Sequence, residues 1–304
     1  MAIVRINPES EADWLALRER DVTSTEIGAL FGVSPYKRAW RLWHDKARPE
    51  TREKFVTNER VVWGTRLERV VAEGIAEDQG WKVRHFPFYC RDEERRLGAS
   101  YDYEVLGQDA VLEVKTVAVD QRHTWILEDG REEAPPHIEL QLQQQMMLAG
   151  KSRGFIGALI GGNEVVVIAR KADPAIWAEV KKRAATFWAA VATGSEPAPD
   201  YMMDADAVIR LHQSVTDGEV LDASENIRLE ALVREYKDSG AAADEAEKRK
   251  RAAKAEMMEL IGQAAKVIGN GFTISAGTTK RAEYVVKATE YRDFRVTMKK
   301  GAKA

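Results

Sequence analysis

The sequence predicts an α/β (α+β) fold with a central mixed sheet flanked by helices, followed by a C-terminal appendage of one long helix and a small sheet. Three observations predict this arrangement. Short apolar, β-prone segments occupy the middle of the chain, in residues 81–116 and 155–169. Amphipathic helical patterns precede and follow these segments. Residues 224–267 are almost entirely helix-forming and are highly charged.

Capping and turn residues set the approximate limits of each element. The expected elements are, in order, a helix from the N-cap Ser10 to Arg20, a helix beginning at Thr23, a helix from Asn58 to Gln79, strands at 81–89, 97–104 and 110–116, a helix from Pro135 to Gly150, a hairpin of 155–160 and 164–169 around Gly161-Gly162-Asn163, a helix from Asp173 to about Val191, the charged helix, and two or three strands in 268–300. The helix from Pro135 to Gly150 has proline at its start and glycine at its end, which fits the usual asymmetry of helix ends.

Two prolines, Pro197 and Pro199, mark a domain boundary. We therefore expect a first domain at 1–194, a linker at 195–224 and a C-terminal domain at 225–304 that combines helix with a small β-sheet. The basic run at 248–251 is typical of a solvated helix face, and a DNA contact is the alternative.

Composition limits the classes of protein. The chain has 304 residues, of which 44% are hydrophobic and 31% charged, as in a soluble globular protein. It contains neither an apolar run of membrane-spanning length nor a hydrophobic signal core, so we expect a cytoplasmic protein without a membrane partner. Its single cysteine, Cys90, excludes an intrachain disulfide and a cysteine-built metal site. The net charge of −3 argues against indiscriminate nucleic-acid binding, although a positive groove remains compatible with it.

The stretch from Ser100 to Thr116 carries the strongest chemical signal. It predicts a hairpin in which Glu113 and Lys115, two residues apart on one strand, share a face of the sheet. If the hairpin closes, Asp102 converges on Glu113, and two adjacent carboxylates favour a divalent cation between them. A surface ion pair between Glu113 and Lys115 is the alternative, and the spacing alone does not exclude it.

Two further segments offer candidate site residues. Thr23 and Glu26 have capping-box spacing, and the hydroxyls of this segment follow Arg18 and Arg20, which together favour an anion such as phosphate. A plain capped helix would explain the hydroxyls but not the two arginines. Glu68 is either a solvated helix residue or a third carboxylate aimed at the hairpin. The glutamine-rich helix before Gly150 can hold water or phosphate through its amides.

Five motifs occur in order along the chain: Thr23-Ser24-Thr25 with Gly32-Val33-Ser34-Pro35-Tyr36, Trp63-Gly64-Thr65-Arg66-Leu67-Glu68, Gly98-Ala99-Ser100-Tyr101-Asp102, Leu112-Glu113-Val114-Lys115-Thr116, and Gln141-Leu142-Gln143-Gln144-Gln145-Met146. Through them, residues 18–192 resemble the YqaJ-type viral recombinase family, the phage λ-exonuclease-like branch of the PD-(D/E)XK nucleases. The sequence departs from the pattern at Tyr101, where the superfamily has proline, and at Thr25, where serine is more usual.

The resemblance implies a restriction-endonuclease-like core and a role for each matched residue. The implied ligands of Mg²⁺ or Mn²⁺, two ions per site, are Glu68, Asp102, Glu113 and the carbonyl of Val114. The implied catalytic residues are Asp102, Glu113, Lys115 and Gln141, with Lys115 orienting the attacking water and Gln141 helping to place it. Arg18 and Thr25 match the positions that hold a 5′-phosphate.

The implied activity is that of a Mg²⁺-dependent 5′→3′ exonuclease. It would degrade one strand of linear double-stranded DNA and leave 3′ single-stranded DNA for phage-type recombination by strand annealing. The implied setting is a phage- or prophage-encoded homotrimeric ring in the bacterial host cytoplasm, with a single-strand annealing protein as partner. An endonuclease of the same fold and a non-catalytic DNA-binding or scaffold protein are the alternatives.

Overall fold

The computed structural model describes residues 3–51, 57–280, 283 and 292–297. Its strands are β1 (Val4–Ile6), β2 (Val22–Thr23), β3 (Val83–His85), β4 (Tyr89–Asp92), β5 (Leu97–Ala99), β6 (Tyr103–Val105), β7 (Ala110–Val117), β8 (Arg153–Ile160), β9 (Glu164–Lys171), β10 (Lys266–Gly269) and β11 (Phe272–Ser275). Its α-helices are α1 (Glu11–Arg20), α2 (Ile27–Leu30), α3 (Ala39–Ala47), α4 (Glu59–Gln79), α5 (Pro136–Ala149), α6 (Pro174–Thr193), α7 (Ala205–Leu211) and α8 (Ile227–Ile261).

A five-stranded mixed sheet with the order β3-β6-β7-β8-β9 forms the centre of the fold. Only β7 and β8 run parallel, and α5 lies in the connection between them. Parallel neighbours need such a crossover because the chain must return to the same end of the sheet. The predicted start of α5 at the prolines and its end at Gly150, which has a left-handed conformation, are both confirmed.

Helices cover both faces of this sheet. Ile75 of α4 packs with Leu112 and Val114 of β7 on one face. Leu142 of α5 and Ile156 of β8 belong to the larger apolar cluster on the other face, which also includes α6. The predicted central mixed sheet flanked by helices is therefore confirmed, and β7 lies at its middle.

A second sheet, with the order β1-β4-β5-β2, accounts for a departure from the predicted strands. The single strand expected at 81–89 is interrupted at Phe86-Pro87-Phe88, so that β3 lies in the central sheet and β4 in the second. The strand expected at 97–104 is likewise divided into β5 and β6. The two segments that pass between the sheets are hydrogen-bonded to each other, because Phe86 N–H donates to the carbonyl of Asp102 (3.1 Å). Asp102 thus lies at the junction of the two sheets.

The second sheet holds a buried polar cluster that needs a glycine. Tyr89 donates its hydroxyl to Asp21 (3.1 Å), which also accepts from Arg91 (2.8 Å). Burial raises the pKa of Asp21, and the Arg91 guanidinium opposes this rise. A Cβ atom at Gly98 would lie 1.8 Å from the Tyr89 hydroxyl oxygen. Glycine at 98 is therefore required for the close approach of β5 to this phenol.

The chain divides into two compact units, one ending at Leu211 and the other beginning at His212. The first includes α7, so it continues beyond residue 194, where the composition changes. The second unit contains α8, whose N-cap Asn226 accepts from the N–H of Leu229, and the β10–β11 hairpin. Most of the strand region expected after residue 280 lies outside the described residues. None of the helices described here is both long enough and apolar enough to cross a bilayer.

Candidate active site

The predicted hairpin is formed by β6 and β7, in antiparallel register with Tyr103 opposite Leu112. This register brings Asp102, one residue before β6, alongside Glu113. Asp102 Oδ2 accepts from the backbone N–H of Val114 at 2.7 Å. The carboxylate of Asp102 is therefore bound to β7 between the two charged residues of the predicted pair.

Glu113 is only 3% exposed, and its carboxylate is surrounded by donors. Its Oε1 accepts from Lys115 Nζ and from Gln141 Nε2 (2.5 Å). Its Oε2 accepts from Gln145 Nε2 (2.5 Å). Glu113 thus faces α5, and Gln141, which the resemblance assigns to the site, lies beside the hairpin.

Gln145 was not predicted as a site residue. It lies four positions after Gln141, and residues four apart share a helix face, so the spacing could have indicated it. Its Nε2 also donates to the carbonyl of Ser100 (2.9 Å), whereas its Oε1 is buried without a hydrogen-bond partner among the described residues. Gln145 therefore ties Glu113 to the segment that carries Asp102.

The carboxylates influence one another strongly. Burial raises the pKa of Asp102 well above its ordinary value, and the charges of Glu113 and Glu68 raise it further, against the opposing effect of Lys115. Burial and the Glu113 charge also raise the pKa of Glu68, which lies on α4. Burial alone would lower the pKa of Lys115, but the Glu113 and Asp102 carboxylates outweigh it and raise this pKa. Lys115 is therefore held as a charged ammonium beside carboxyl groups that disfavour one another's ionisation.

The described residues contain no group of three His, Cys, Asp or Glu side chains already arranged to hold a metal ion. Both oxygens of Glu113 accept from α5 amides, and Asp102 accepts from the Val114 N–H. The ligand set of Glu68, Asp102, Glu113 and the Val114 carbonyl therefore stays a prediction.

The predicted phosphate-binding residues contact each other. Arg18 Nη2 donates to Thr25 Oγ1 at 3.0 Å, and the Thr25 hydroxyl also lies 3.0 Å from Thr23 Oγ1. The helix expected to begin at Thr23 is α2, which has four residues and begins at Ile27. Thr23 donates its hydroxyl to Glu26 Oε2 instead of capping a helix. The predicted N-cap at Thr23 was therefore wrong, and the binding of phosphate by this segment stays a prediction.

The two halves of the candidate site are joined through the second sheet. Strand β2, between Arg18 and Thr25, pairs in parallel with β5, which leads directly to Asp102. Trp14 strengthens this connection, because its indole N–H donates to Ser100 Oγ (2.8 Å) while the Arg18 guanidinium lies 4.4 Å from the centre of its ring. The tertiary structure thus makes neighbours of groups about eighty residues apart.

A cavity of about 560 Å³ opens beside Lys115, and we call it the Lys115 cavity. Its lining includes Tyr36, Trp63, Arg60 and His137. Burial lowers the pKa of His137, and the charge of Lys115 lowers it further. No sequence pattern predicted this cavity, since its lining comes from separate loops and helices.

Comparison with known proteins agrees with the motif order. Residues 13–152 match the YqaJ-like viral recombinase domain. The uncharacterized protein YqaJ of Bacillus subtilis (strain 168) is 26% identical over 212 residues, which cover 68% of this chain. The match covers 65% of that protein, so this chain spans less than two thirds of its length. The family resemblance predicted from the motifs is confirmed.

Solved structures agree with the fold. The alkaline exonuclease LHK-Exo from Laribacter hongkongensis superposes with a TM-score of 0.51 at 18% identity, over 65% of this chain and 98% of that chain. LHK-Exo in complex with dAMP gives a TM-score of 0.51 at 19% identity, with the same coverage. At this level of identity the likeness establishes a shared fold.

Proposed function

We propose that this protein is a metal-dependent deoxyribonuclease acting in recombination, and specifically a 5′→3′ exonuclease. It degrades one strand of linear duplex DNA and leaves a 3′ single strand for annealing. The observation that carries the proposal is the meeting of Asp102, Glu113 and Lys115 at one edge of β7, next to a cavity. The match of residues 13–152 to a viral recombinase domain and a fold shared with an alkaline exonuclease support it.

The residues at the site fit a hard divalent cation. Burial and then the repulsion of neighbouring carboxylates raise the pKa of Asp102, and a bound cation would relieve this repulsion. An all-oxygen donor set suits Mg²⁺ or Mn²⁺. We assign Glu68, Asp102, Glu113 and the Val114 carbonyl as ligands for two ions. When bound, such ions would supply an acidified water and neutralise charge on the phosphate.

The remaining residues act by orientation and charge. Lys115 is kept protonated by its two carboxylate neighbours, so it can orient the attacking water and stabilise negative charge on the scissile phosphate. Gln141 and Gln145 hold the Glu113 carboxylate in place from α5. Arg18 and Thr25 receive the 5′-phosphate, and binding this phosphate would position the next bond for cleavage.

The decisive experiment is a time course on linear duplexes labelled at either end, with and without a 5′-phosphate. In Mg²⁺, we expect wild-type protein to release a 5′ label first and to shorten the 3′-labelled strand progressively. Lys115→Ala should be inactive, whereas Lys182→Ala, which removes a lysine whose side chain is 76% exposed on α6, should keep wild-type activity. The proposal fails if wild type leaves the duplex intact or if Lys115→Ala degrades it equally well.

The alternatives give different results. Cutting of closed circular DNA would identify an endonuclease of the same fold. DNA binding without degradation, together with calorimetry that detects no Mg²⁺ binding, would identify a DNA-binding or scaffold protein.

A trimeric ring and a single-strand annealing partner are the corresponding proposals for assembly. Light scattering of the purified protein tests the ring, because a ring of three subunits has three times the mass of the 34.1 kDa chain. Co-purification with a co-expressed annealing protein tests the partner. We also propose a phage or prophage origin and action in the host cytoplasm.

A further inference from the structure

Two exposed aromatic side chains line the Lys115 cavity. Tyr36, in the loop between α2 and α3, is 79% exposed, and Trp63 on α4 is 51% exposed. A single exposed aromatic residue is ordinary, but two that converge on one cavity leave apolar surface that a ligand can cover. Their placement therefore indicates a binding surface.

Neighbouring side chains hold both rings while leaving them accessible. The Arg66 guanidinium lies 5.1 Å from the centre of the Trp63 ring, a distance at which a cation interacts with a ring face. Tyr36 meets the His137 ring edge to face, with centroids 5.8 Å apart. Rings restrained in this way lose less conformational freedom when a planar ligand stacks on them.

The charges around the cavity favour an anion. Of the described residues that line it, the charged ones are Arg60 and Lys115, and none is Asp or Glu. The cavity volume of about 560 Å³ falls within the usual range for small-ligand sites, about 300–1,000 Å³. A ligand that combines a flat π-surface with a negative charge would satisfy both the aromatic and the cationic groups. A nucleotide of single-stranded DNA has both.

We propose that the Lys115 cavity binds unpaired nucleotides, with bases stacked on Trp63 and Tyr36 while an adjoining phosphate lies near Lys115 and Arg60. This inference rests on the proposed nuclease function and adds to it a base-binding subsite. Because every base has a π-face, stacking of this kind tolerates any sequence. The subsite therefore holds the strand beside the scissile phosphate without selecting a sequence.

Binding can be tested without cleavage. The full chain is titrated in EDTA with a fluorescent single-stranded oligonucleotide, and anisotropy gives the Kd. We expect Trp63→Ala and Tyr36→Ala each to weaken binding by roughly 5- to 150-fold, the range for removal of one stacked base. Trp63→Phe keeps a ring and should stay close to wild type. Tyr201→Ala, which removes a 67%-exposed tyrosine outside the cavity, should have no effect.

An abasic scan locates the contact. Duplex substrates carry one abasic residue at successive positions from the 5′ end, and cleavage is followed past each position. We expect wild type to slow at one or two positions, and Trp63→Ala to be insensitive there because the stacking contact is already absent. If Trp63→Ala does not fold, as judged by circular dichroism, the same comparison with Tyr36→Ala decides.

The outcomes separate this inference from the proposed function. If wild type degrades DNA while both alanine variants bind and cleave normally, the base-binding subsite is wrong and the nuclease proposal stands. If wild type does not degrade DNA but binds single strands through Trp63 or Tyr36, the subsite stands and the nuclease proposal fails. If wild type does not bind single strands and the abasic scan shows no slow position, the subsite is rejected.

Discussion

Gln144 and Gln145 allow the role of the amides around Glu113 to be tested with a matched control. Each side chain is buried, donates through Nε2 to two acceptors, and has an Oε1 without a hydrogen-bond partner in the described part of the chain. Gln144 donates to the carbonyls of Val22 and Gly98, both at 3.0 Å. Gln145 donates to the carbonyl of Ser100 and to the Glu113 carboxylate. The two residues therefore differ in one acceptor, which is charged for Gln145.

Replacing each glutamine by methionine removes the donors at similar side-chain volume. A hydrogen bond to a neutral group contributes about 0.5–1.5 kcal/mol and one to a charged group about 1.5–3 kcal/mol. Both variants lose one hydrogen bond to a backbone carbonyl and one unpartnered Oε1, so these losses change the two free energies of unfolding equally. Without metal, we therefore expect Gln145→Met to lower the free energy of unfolding by about 1–1.5 kcal/mol more than Gln144→Met does.

Urea denaturation in EDTA, followed by tryptophan fluorescence, measures this difference. All eight tryptophans precede Leu211, so the signal reports on the first compact unit. Activity provides the second comparison, because a residue that orients a metal ligand typically contributes about 10- to 100-fold in metal affinity or rate. We expect Gln145→Met to need more Mg²⁺ and to cleave more slowly, and Gln144→Met to resemble wild type.

Equal results for the two variants would refute the reasoning. If both lose the same stability and show the same Mg²⁺ dependence, Gln145 is a structural amide like Gln144. A loss of activity in Gln144→Met alone would instead show that activity depends on the contacts of Gln144 with Val22 and Gly98.

Three further predictions concern pH, the 5′-phosphate and glycine. The pKa of Asp102 lies above its ordinary value of 3.8, so at this residue the folded state binds more protons than the unfolded state. The contribution of Asp102 to the free energy of unfolding of the metal-free protein should therefore fall as pH rises from about 4 through the folded pKa. Asp102→Asn removes this pH-dependent loss of stability. In EDTA, its free energy of unfolding should therefore exceed that of wild type by an amount that grows from about pH 4 to pH 8. A difference that does not change with pH would contradict the raised pKa of Asp102. Removing the 5′-phosphate from the substrate should slow wild type but not Arg18→Ala, and equal sensitivity of the cleavage rates would reject the phosphate pocket. Gly98→Ala should destabilise by about 1–3 kcal/mol through the clash with Tyr89. Gly74 lies on an exposed turn of α4 with open space around it, so Gly74→Ala should stabilise the protein by about 0.5–1 kcal/mol in the same denaturation assay. If Gly98→Ala is as stable as wild type, β5 can move to accommodate the methyl group.

Local chemistry explains which elements were predictable. The predicted N-cap Ser10 accepts the expected backbone hydrogen bond, and α4 and α6 begin at Asn58 and Asp173 as predicted. These signals depend on residues within one turn of each other, so no distant contact is needed to interpret them. Strand limits were less accurate, because the departure of the chain from one sheet to another at Phe86-Pro87-Phe88 depends on which strands are available to pair.

The sequence by itself determined that Glu113 and Lys115 share a strand face, since alternation along a strand is a property of the backbone. The motif order predicted the resemblance to the YqaJ-type family, and the match of residues 13–152 confirms this resemblance. Only the tertiary structure decided what that face meets. The packing of α5 directs Gln141 and Gln145 onto Glu113, and the pairing of β2 with β5 joins the Arg18–Thr25 pair to Asp102. These contacts join segments 28 to about 80 residues apart, and their geometry depends on how whole elements pack, which no local pattern specifies.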